Sequence, residues 1–196
     1  AYIDDCGVCS GGNTELDPNA CFIPGDLNQD ETTDVMDVVF MVNWILTNGN
    51  PMEPCNGICL VNADFNGDGS IDVMDVVGLV DQILNMSVRS NNATEARIMK
   101  YENTLSLQSN GFVGGVQMTL EHGSDFDLTF FEDAYMSKHY TVNNTTELMI
   151  IHPGENLFIA NDDFTISELI VVSSDDYVST QIIENMEYSI SSTYPN

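Results

Sequence analysis

The sequence predicts an α+β protein made of two modules, a pair of loop-and-helix units followed by an all-β sandwich. Three observations carry this prediction. A 12-residue acidic loop is written twice, 38 residues apart, and apolar residues recur at helical spacing after each copy. From about Ala96 the pattern changes to short alternating runs separated by turn residues. A hydrophobic content of 43% is sufficient for packed cores in both modules.

The repeated loops cover residues 26–37 and 64–75, and oxygen-bearing side chains fall at loop positions 1, 3, 5, 9 and 12, with a small polar residue at 7. A calcium loop has this spacing, because carboxylates, one main-chain carbonyl and usually a water surround the ion. A polar turn that binds nothing is the alternative, and the second copy in register disfavours it. The sequence therefore predicts two Ca²⁺ ions, with these ligands: Asp26, Asn28, Asp30, Thr32, Asp34 and Asp37, then Asp64, Asn66, Asp68, Ser70, Asp72 and Asp75.

The two loops differ at position 6. Gly69 suits the left-handed backbone that this position requires, whereas Glu31 stands there in the first loop. A side chain in that conformation costs about 1–2 kcal/mol. We therefore expect the first site to be the weaker one.

Each loop leads into one predicted helix, with no convincing helix before it. The apolar residues at helical spacing are Val38, Val42, Ile45 and Leu46 in the first unit and Val76, Val80, Ile83 and Leu84 in the second. Together with Asp rather than Glu at position 12, the short unit over residues 21–86 resembles the dockerin family.

The resemblance implies a partner, because dockerins bind cohesins, which are β-sandwich modules, through one face of the duplicated helices. The partner-reading positions carry over to Val35, Met36, Val73 and Met74. In many dockerins this pair is hydroxylic, whereas here it is apolar, so partner specificity does not carry over. The near two-fold symmetry leaves two binding orientations open. Packing against the domain's own core is the other interpretation of Val35 and Met36.

Charge excludes several classes of partner. With 4 basic and 31 acidic residues, the net charge is −27. Nucleic acid and anionic membrane surfaces are excluded as partners, since so few Lys and Arg side chains cannot neutralise them. No apolar run approaches the roughly 20 residues that a membrane-spanning helix needs.

Five cysteines lie in the first third of the chain, around the repeats: Cys6, Cys9, Cys21, Cys55 and Cys59. The pairs Cys6–Cys9 and Cys55–Cys59 could form the two halves of a zinc site. Extracellular calcium modules favour disulfides instead. The connectivity is open, and the odd count leaves one thiol free or paired with another chain.

The short alternating runs of the second half predict a β-sandwich or jelly roll over residues 96–196, after a polar linker at 87–95. The predicted strands lie within Arg97–Gln108, Gly115–His122, Phe126–Phe131, Glu147–His152, Asn156–Ala160, Phe164–Val172 and Thr180–Ile190. The strand Gly114–Leu120 is similar to strands of cohesins and related carbohydrate-binding sandwiches.

Both ends of the chain suggest export. Residues 1–20 read as a Cys/Gly-rich tether, and residues 4–13 resemble the DCGVCGG segments of secreted bacterial surface proteins. Residues 192–196, STYPN, resemble the first residues of type IX secretion sorting domains. These resemblances imply a secreted protein, extracellular or on a bacterial cell surface.

No catalytic constellation is visible in the sequence. His122, His139 and His152 are scattered, and no pair has a metal-ligand spacing. We expect a non-catalytic extracellular assembly protein whose dockerin-like module docks onto a β-sandwich, that of the next copy giving a filament. The alternative is a targeting and glycan-binding fragment of a secreted polysaccharide-degrading enzyme. A third arrangement packs the dockerin-like module on its own sandwich as one rigid body.

Overall fold

The two predicted helices are present, and each begins at the tenth position of its loop. The computed structural model describes residues 2–3, 9–10, 23–28, 30, 32–49, 62–86 and 91–184. Helix α1 spans Val35–Leu46 and α2 spans Val73–Ile83. Asp34 and Asp72 are the N-cap residues, and each accepts a hydrogen bond from the backbone N–H two residues later. These caps satisfy N–H groups that a helix start leaves without partners.

Most of the strands of the second half lie where the alternating pattern predicted them. Their bounds are β1 Tyr2–Ile3, β2 Cys9–Ser10, β3 Glu95–Tyr101, β4 Thr104–Ser109, β5 Gly115–His122, β6 Leu128–Phe130, β7 Met136–Val142, β8 Thr145–Ile151, β9 Asn156–Ala160, β10 Phe164–Val172 and β11 Ser179–Glu184. The run predicted over 97–108 is a hairpin, β3–β4, whose turn contains Glu102 at φ +51°. Strand β7 was not predicted.

The second half is a sandwich of two sheets. One sheet has the order β10-β5-β8-β7, and the other has the order β11-β3-β4-β9-β6. All pairings within them are antiparallel except β11 with β3, which is parallel. The inward-facing side chains of both sheets form one core, which includes Ile98, Leu105, Met118, Leu148 and Phe158. The α+β expectation with an all-β module is confirmed.

A second core joins the helices to the sandwich. It combines apolar residues of α1 and α2 with Met149, Ile151 and Val172, which lie on the outer face of the four-stranded sheet. The two loop-and-helix units thus pack on their own sandwich, as the third arrangement anticipated. The domain boundaries at 20, 86 and 95 stay a prediction.

Two glycines allow α2 to approach this sheet closely. A Cβ atom on Gly115 would lie 2.5 Å from Cγ2 of Val73, and one on Gly114 would lie 2.7 Å from Cγ1 of Val77. Any side chain at these positions would push the helix away from β5. The absence of Cβ atoms here therefore sets the distance between helix and sheet.

Candidate calcium and docking sites

The second loop is folded around its own side-chain oxygens. The carboxylate of Asp64 accepts hydrogen bonds from the N–H groups of Gly67 and Gly69 at 2.8 and 3.0 Å. Asn66 Oδ1 accepts from the N–H of Asp68 at 2.8 Å. Gly69 has φ +90°, in the left-handed region that position 6 requires. The loop therefore has the backbone turn that position 6 of a calcium loop requires.

The first loop repeats much of this pattern. Asp26 Oδ1 and Asn28 Oδ1 both accept from the N–H of Asp30, at 3.2 and 2.9 Å. Asp30 in turn accepts from the N–H of Thr32 at 2.9 Å. The hydrogen bonds from Thr32 and Asn28 hold the pKa of Asp30 below its usual range. Glu31 lies outside the described residues, so the weaker first site stays a prediction.

A buried carboxylate closes each loop at position 12. Asp37 and Asp75 are both 0% exposed. Asp37 accepts from the N–H groups of Leu27, Asn28 and Asp34, and Asp75 accepts from those of Phe65, Asn66 and Asp72 in the same way. These six bonds show that the two units fold alike down to individual atoms.

The buried carboxyl of Asp75 has no basic partner among the residues that the structure describes. Burial raises the pKa of this carboxyl, and the nearby charge of Asp72 adds to the effect. Within the described residues, no Lys or Arg pairs with a carboxylate of the second loop. All four basic residues of the chain, Arg89, Arg97, Lys100 and Lys138, come later in the sequence than both loops. A bound cation would supply the missing positive charge.

The donor set fits calcium. Carboxylate, amide and carbonyl oxygens are the ligands of a hard cation, and each loop supplies them from residues at the required positions. As placed, no three His, Cys, Asp or Glu side chains in the described part of the chain form a metal-holding cluster.

The four predicted partner-reading residues fall into two different environments. Val35 and Met36 of the first unit are 46% and 50% exposed, whereas Val73 and Met74 of the second are 0% and 7% exposed. Val73 packs against Gly115, and its N–H donates to Gln117 Oε1 at 3.1 Å. The sandwich therefore covers the pair in the second unit and leaves the pair in the first unit open.

Polar contacts add to the interface between the units and the sandwich. The Tyr177 hydroxyl donates to Oδ2 of Asp72 at 2.9 Å and lies 3.3 Å from Oδ2 of Asp68. Lys138 Nζ donates to Asn43 Oδ1 of α1. His152 Nε2 lies 3.4 Å from Oδ1 of Asp81 in α2. Sequence reasoning found none of these contacts, because more than 70 residues separate the partners in each.

The histidines occupy separate structural contacts. His122 stacks on Phe126 with ring centroids 4.0 Å apart, and its Nε2 lies 2.8 Å from Thr146 Oγ1. His139 packs beside Phe130, and burial lowers the pKa of its ring. No described helix is both long enough and apolar enough to span a membrane.

The other residues to which the sequence assigned a role lie mostly outside the described part of the structure. Cys6, Cys21, Cys55 and Cys59 are among them, and Cys9 is described only as the first residue of β2. The tail at 192–196 and most of the tether are also outside. The disulfide, zinc and sorting-signal interpretations stay predictions.

Comparison with known families agrees with the geometry of the two loops. Residues 24–85 match the family model of the dockerin type I domain. None of the curated proteins compared with the chain matches it. The dockerin match covers both loop-and-helix units and ends before the β-sandwich, so the predicted dockerin module is confirmed. Dockerin domains are non-catalytic calcium-binding modules that bind cohesins.

Proposed function

We propose that this dockerin-containing chain is a non-catalytic, secreted assembly subunit that binds two calcium ions. Its second unit holds its own β-sandwich, and its first unit docks onto the β-sandwich of the next copy. The observation that carries the proposal is the unequal exposure of Val35 and Met36 against Val73 and Met74. A duplicated docking face with one copy covered has only one copy left for a partner.

The covered copy also supports the kind of partner. The second unit packs its Val–Met pair against a β-sheet, with Val73 on the glycine of β5. The first unit has the same pair at the same loop positions. Because the Val–Met pair of the second unit packs on a β-sheet, the identical pair of the first unit is suited to pack on the β-sheet of another molecule.

The outer face of the five-stranded sheet is the surface best suited to receive it. In the described part of the chain, no helix covers this face. Ile159 and Tyr101 are exposed there, 47% and 57% respectively. Arg97 lies exposed on β3 between Gln108 and Gln181 of the neighbouring strands. This positive charge complements the acidic first loop beside Val35.

Such a contact joins two different surfaces of the same molecule. It is heterologous, so each subunit keeps one free surface of each kind after docking. Unless the rotation closes a ring, the product is a filament. Calcium is required because the docking pair begins at the loop position after Asp34, a predicted ligand.

The test is electron microscopy and sedimentation of the full chain in calcium and in a chelator. We expect ordered polymers in calcium that dissociate on chelation. Protein that stays monomeric in calcium at every concentration would overturn the proposal.

Two variants make the test directional. Val35→Asp with Met36→Asp removes the docking pair, and Ile159→Asp removes the receiving surface. Each should weaken self-association about a hundredfold or more, because a carboxylate would be buried in the contact. Mixed together, they should form dimers and stop there. Val142→Asp, equally exposed at 48% but on neither surface, is the matched control.

A further inference from the structure

One of the contacts between the second predicted calcium loop and the sandwich is made by a side chain that no motif identifies. Tyr177 lies just after the turn between β10 and β11, and its hydroxyl reaches two residues of the loop. The distances are 2.9 Å to Oδ2 of Asp72 and 3.3 Å to Oδ2 of Asp68. These residues stand at loop positions 9 and 5, so a residue of the β-sandwich contacts two predicted calcium ligands.

The base of Tyr177 is held firmly. The N–H of Ser173 donates to the carbonyl of Asp176 at 2.9 Å, and Ser173 Oγ donates to the same carbonyl at 3.0 Å. Ser173 is buried, and the N–H of Val178 donates to the carbonyl of Val171 at 2.8 Å. The tyrosine therefore projects from a tight turn rather than from a loose loop.

The oxygens of the second loop that face Tyr177 are otherwise lightly used. Asp72 Oδ1 caps α2 by accepting the N–H of Met74, which leaves Oδ2 for the tyrosine. Asp68 Oδ2 accepts from Asn66 Nδ2 at 3.0 Å. The hydroxyl donates its one proton to Asp72 Oδ2 and lies 3.3 Å from Asp68 Oδ2, so one side chain of the sandwich contacts both carboxylates. A loop held in this way before the ion arrives has less conformational freedom to lose on binding.

The first loop has no such support in the described part of the chain. Its corresponding carboxylates are Asp30, which accepts from Thr32 and Asn28, and Asp34, which accepts from Met36. All of these donors belong to the first unit itself. Among the described sandwich residues that contact the second loop, Tyr177 is the one whose side chain reaches its carboxylates.

We propose that Tyr177 is a positioning residue for the second calcium loop, through which the β-sandwich prepares that loop for its ion. The coupling is reciprocal, as any linkage between two binding equilibria must be. Docking of the sandwich raises the calcium affinity of the second loop, and calcium in that loop strengthens the docking. On the proposed function, on which this inference rests, calcium in the second loop stabilises packing within the molecule. Calcium in the first loop stabilises the unit whose Val35 and Met36 are exposed.

The experiment measures each site alone by calorimetric titration with calcium chloride. In an Asp26→Ala background only the second site remains, and in an Asp64→Ala background only the first. Tyr177→Phe should lower the affinity of the second site about tenfold, the value of one hydrogen bond to a charged group. It should leave the first site unchanged within about twofold.

A control and a second variant complete the test. Tyr140→Phe removes an exposed hydroxyl on β7, at the opposite edge of the sheet from β10, and should change neither site. Gln117→Ala removes the acceptor for the N–H of Val73 and should weaken the second site selectively as well. Equal losses at both sites, or an unchanged second site in Tyr177→Phe, would overturn the proposal. So would a second site that binds no calcium in the Asp26→Ala protein.

Discussion

The first and second units have nearly the same loop, the same caps and the same buried aspartate, yet they differ in what covers them. Val35 is open where Val73 is fully buried. The loop atoms of the two units share most of their hydrogen bonds, so local sequence does not cause the difference. Its cause is tertiary, since Val73 lies against the outer face of the four-stranded sheet and Val35 does not. Duplication supplies two faces, and the sandwich makes them unequal.

Removing the second ion should produce the largest effect. Asp64→Ala with Asp75→Ala deletes a predicted ligand pair and leaves the N–H groups of Phe65, Asn66 and Asp72 without their acceptor. We expect loss of one calcium per chain and a loss of stability of about 3–5 kcal/mol in calcium. Calorimetric stoichiometry and chemical unfolding are the measurements. The pair Asp26→Ala with Asp37→Ala is the control, and it should loosen the sandwich less. Unchanged stoichiometry would refute the ligand assignment.

A smaller effect is expected from steric overlap between α2 and β5. Gly115→Ala places a methyl group 2.5 Å from Val73 Cγ2. Overpacking of this kind costs about 1–3 kcal/mol. Thermal unfolding should show the loss, while Gly123→Ala, whose methyl group would meet Asp162 Oδ2 only at 3.6 Å, should cost far less. Equal effects would mean that α2 does not rest on β5.

The most direct comparison uses the same substitution at equivalent positions. Val73→Ala should destabilise the protein by about 1–3 kcal/mol, because it opens space in the core between helix and sheet. Val35→Ala should change stability by no more than about 0.5 kcal/mol, as exposed substitutions do. Urea unfolding in calcium measures both. Similar values at the two positions would contradict the asymmetry.

The smallest expected effect concerns a partly buried carboxyl on the outer face of the four-stranded sheet. Glu147 is half-buried on β8, and burial raises its pKa, with Glu168 adding to the rise and Thr119 opposing it. Since the folded pKa is raised, the charged form costs stability above that pKa, and the cost disappears as pH falls below the ordinary value. Glu147→Gln should therefore stabilise the protein by about 0.5 kcal/mol at pH 7 and by nothing near pH 3. Thermal unfolding at both pH values tests this, with Glu121→Gln as the exposed control.

The calcium loops and helices could be predicted because their signals are local. Spacing located both loops, and periodicity identified both helices. Alternation gave β5, β9 and β10 with their observed bounds. Strand β7 escaped because it is an edge strand whose side chains are partly exposed on both faces, so the sequence Met136–Val142 shows no clear alternation.

The asymmetry between the units could not be predicted from sequence. Val35–Met36 and Val73–Met74 are identical pairs, and nothing in either unit says which will be covered. The contacts that decide the matter come from Gly115, Gln117 and Tyr177, which lie far along the chain. Their roles depend on the sheet geometry that the sandwich creates.

The close contact between Val73 and Gly115 has a consequence for the evolution of this protein. In related chains, any enlargement at position 115 should be accompanied by a smaller residue at 73, because the two share one space. The side chain at position 35 is 46% exposed and is therefore less constrained by the packing of its own chain. The two halves of the duplication should therefore diverge under different constraints, the second tied to the packing of its own sandwich and the first less so.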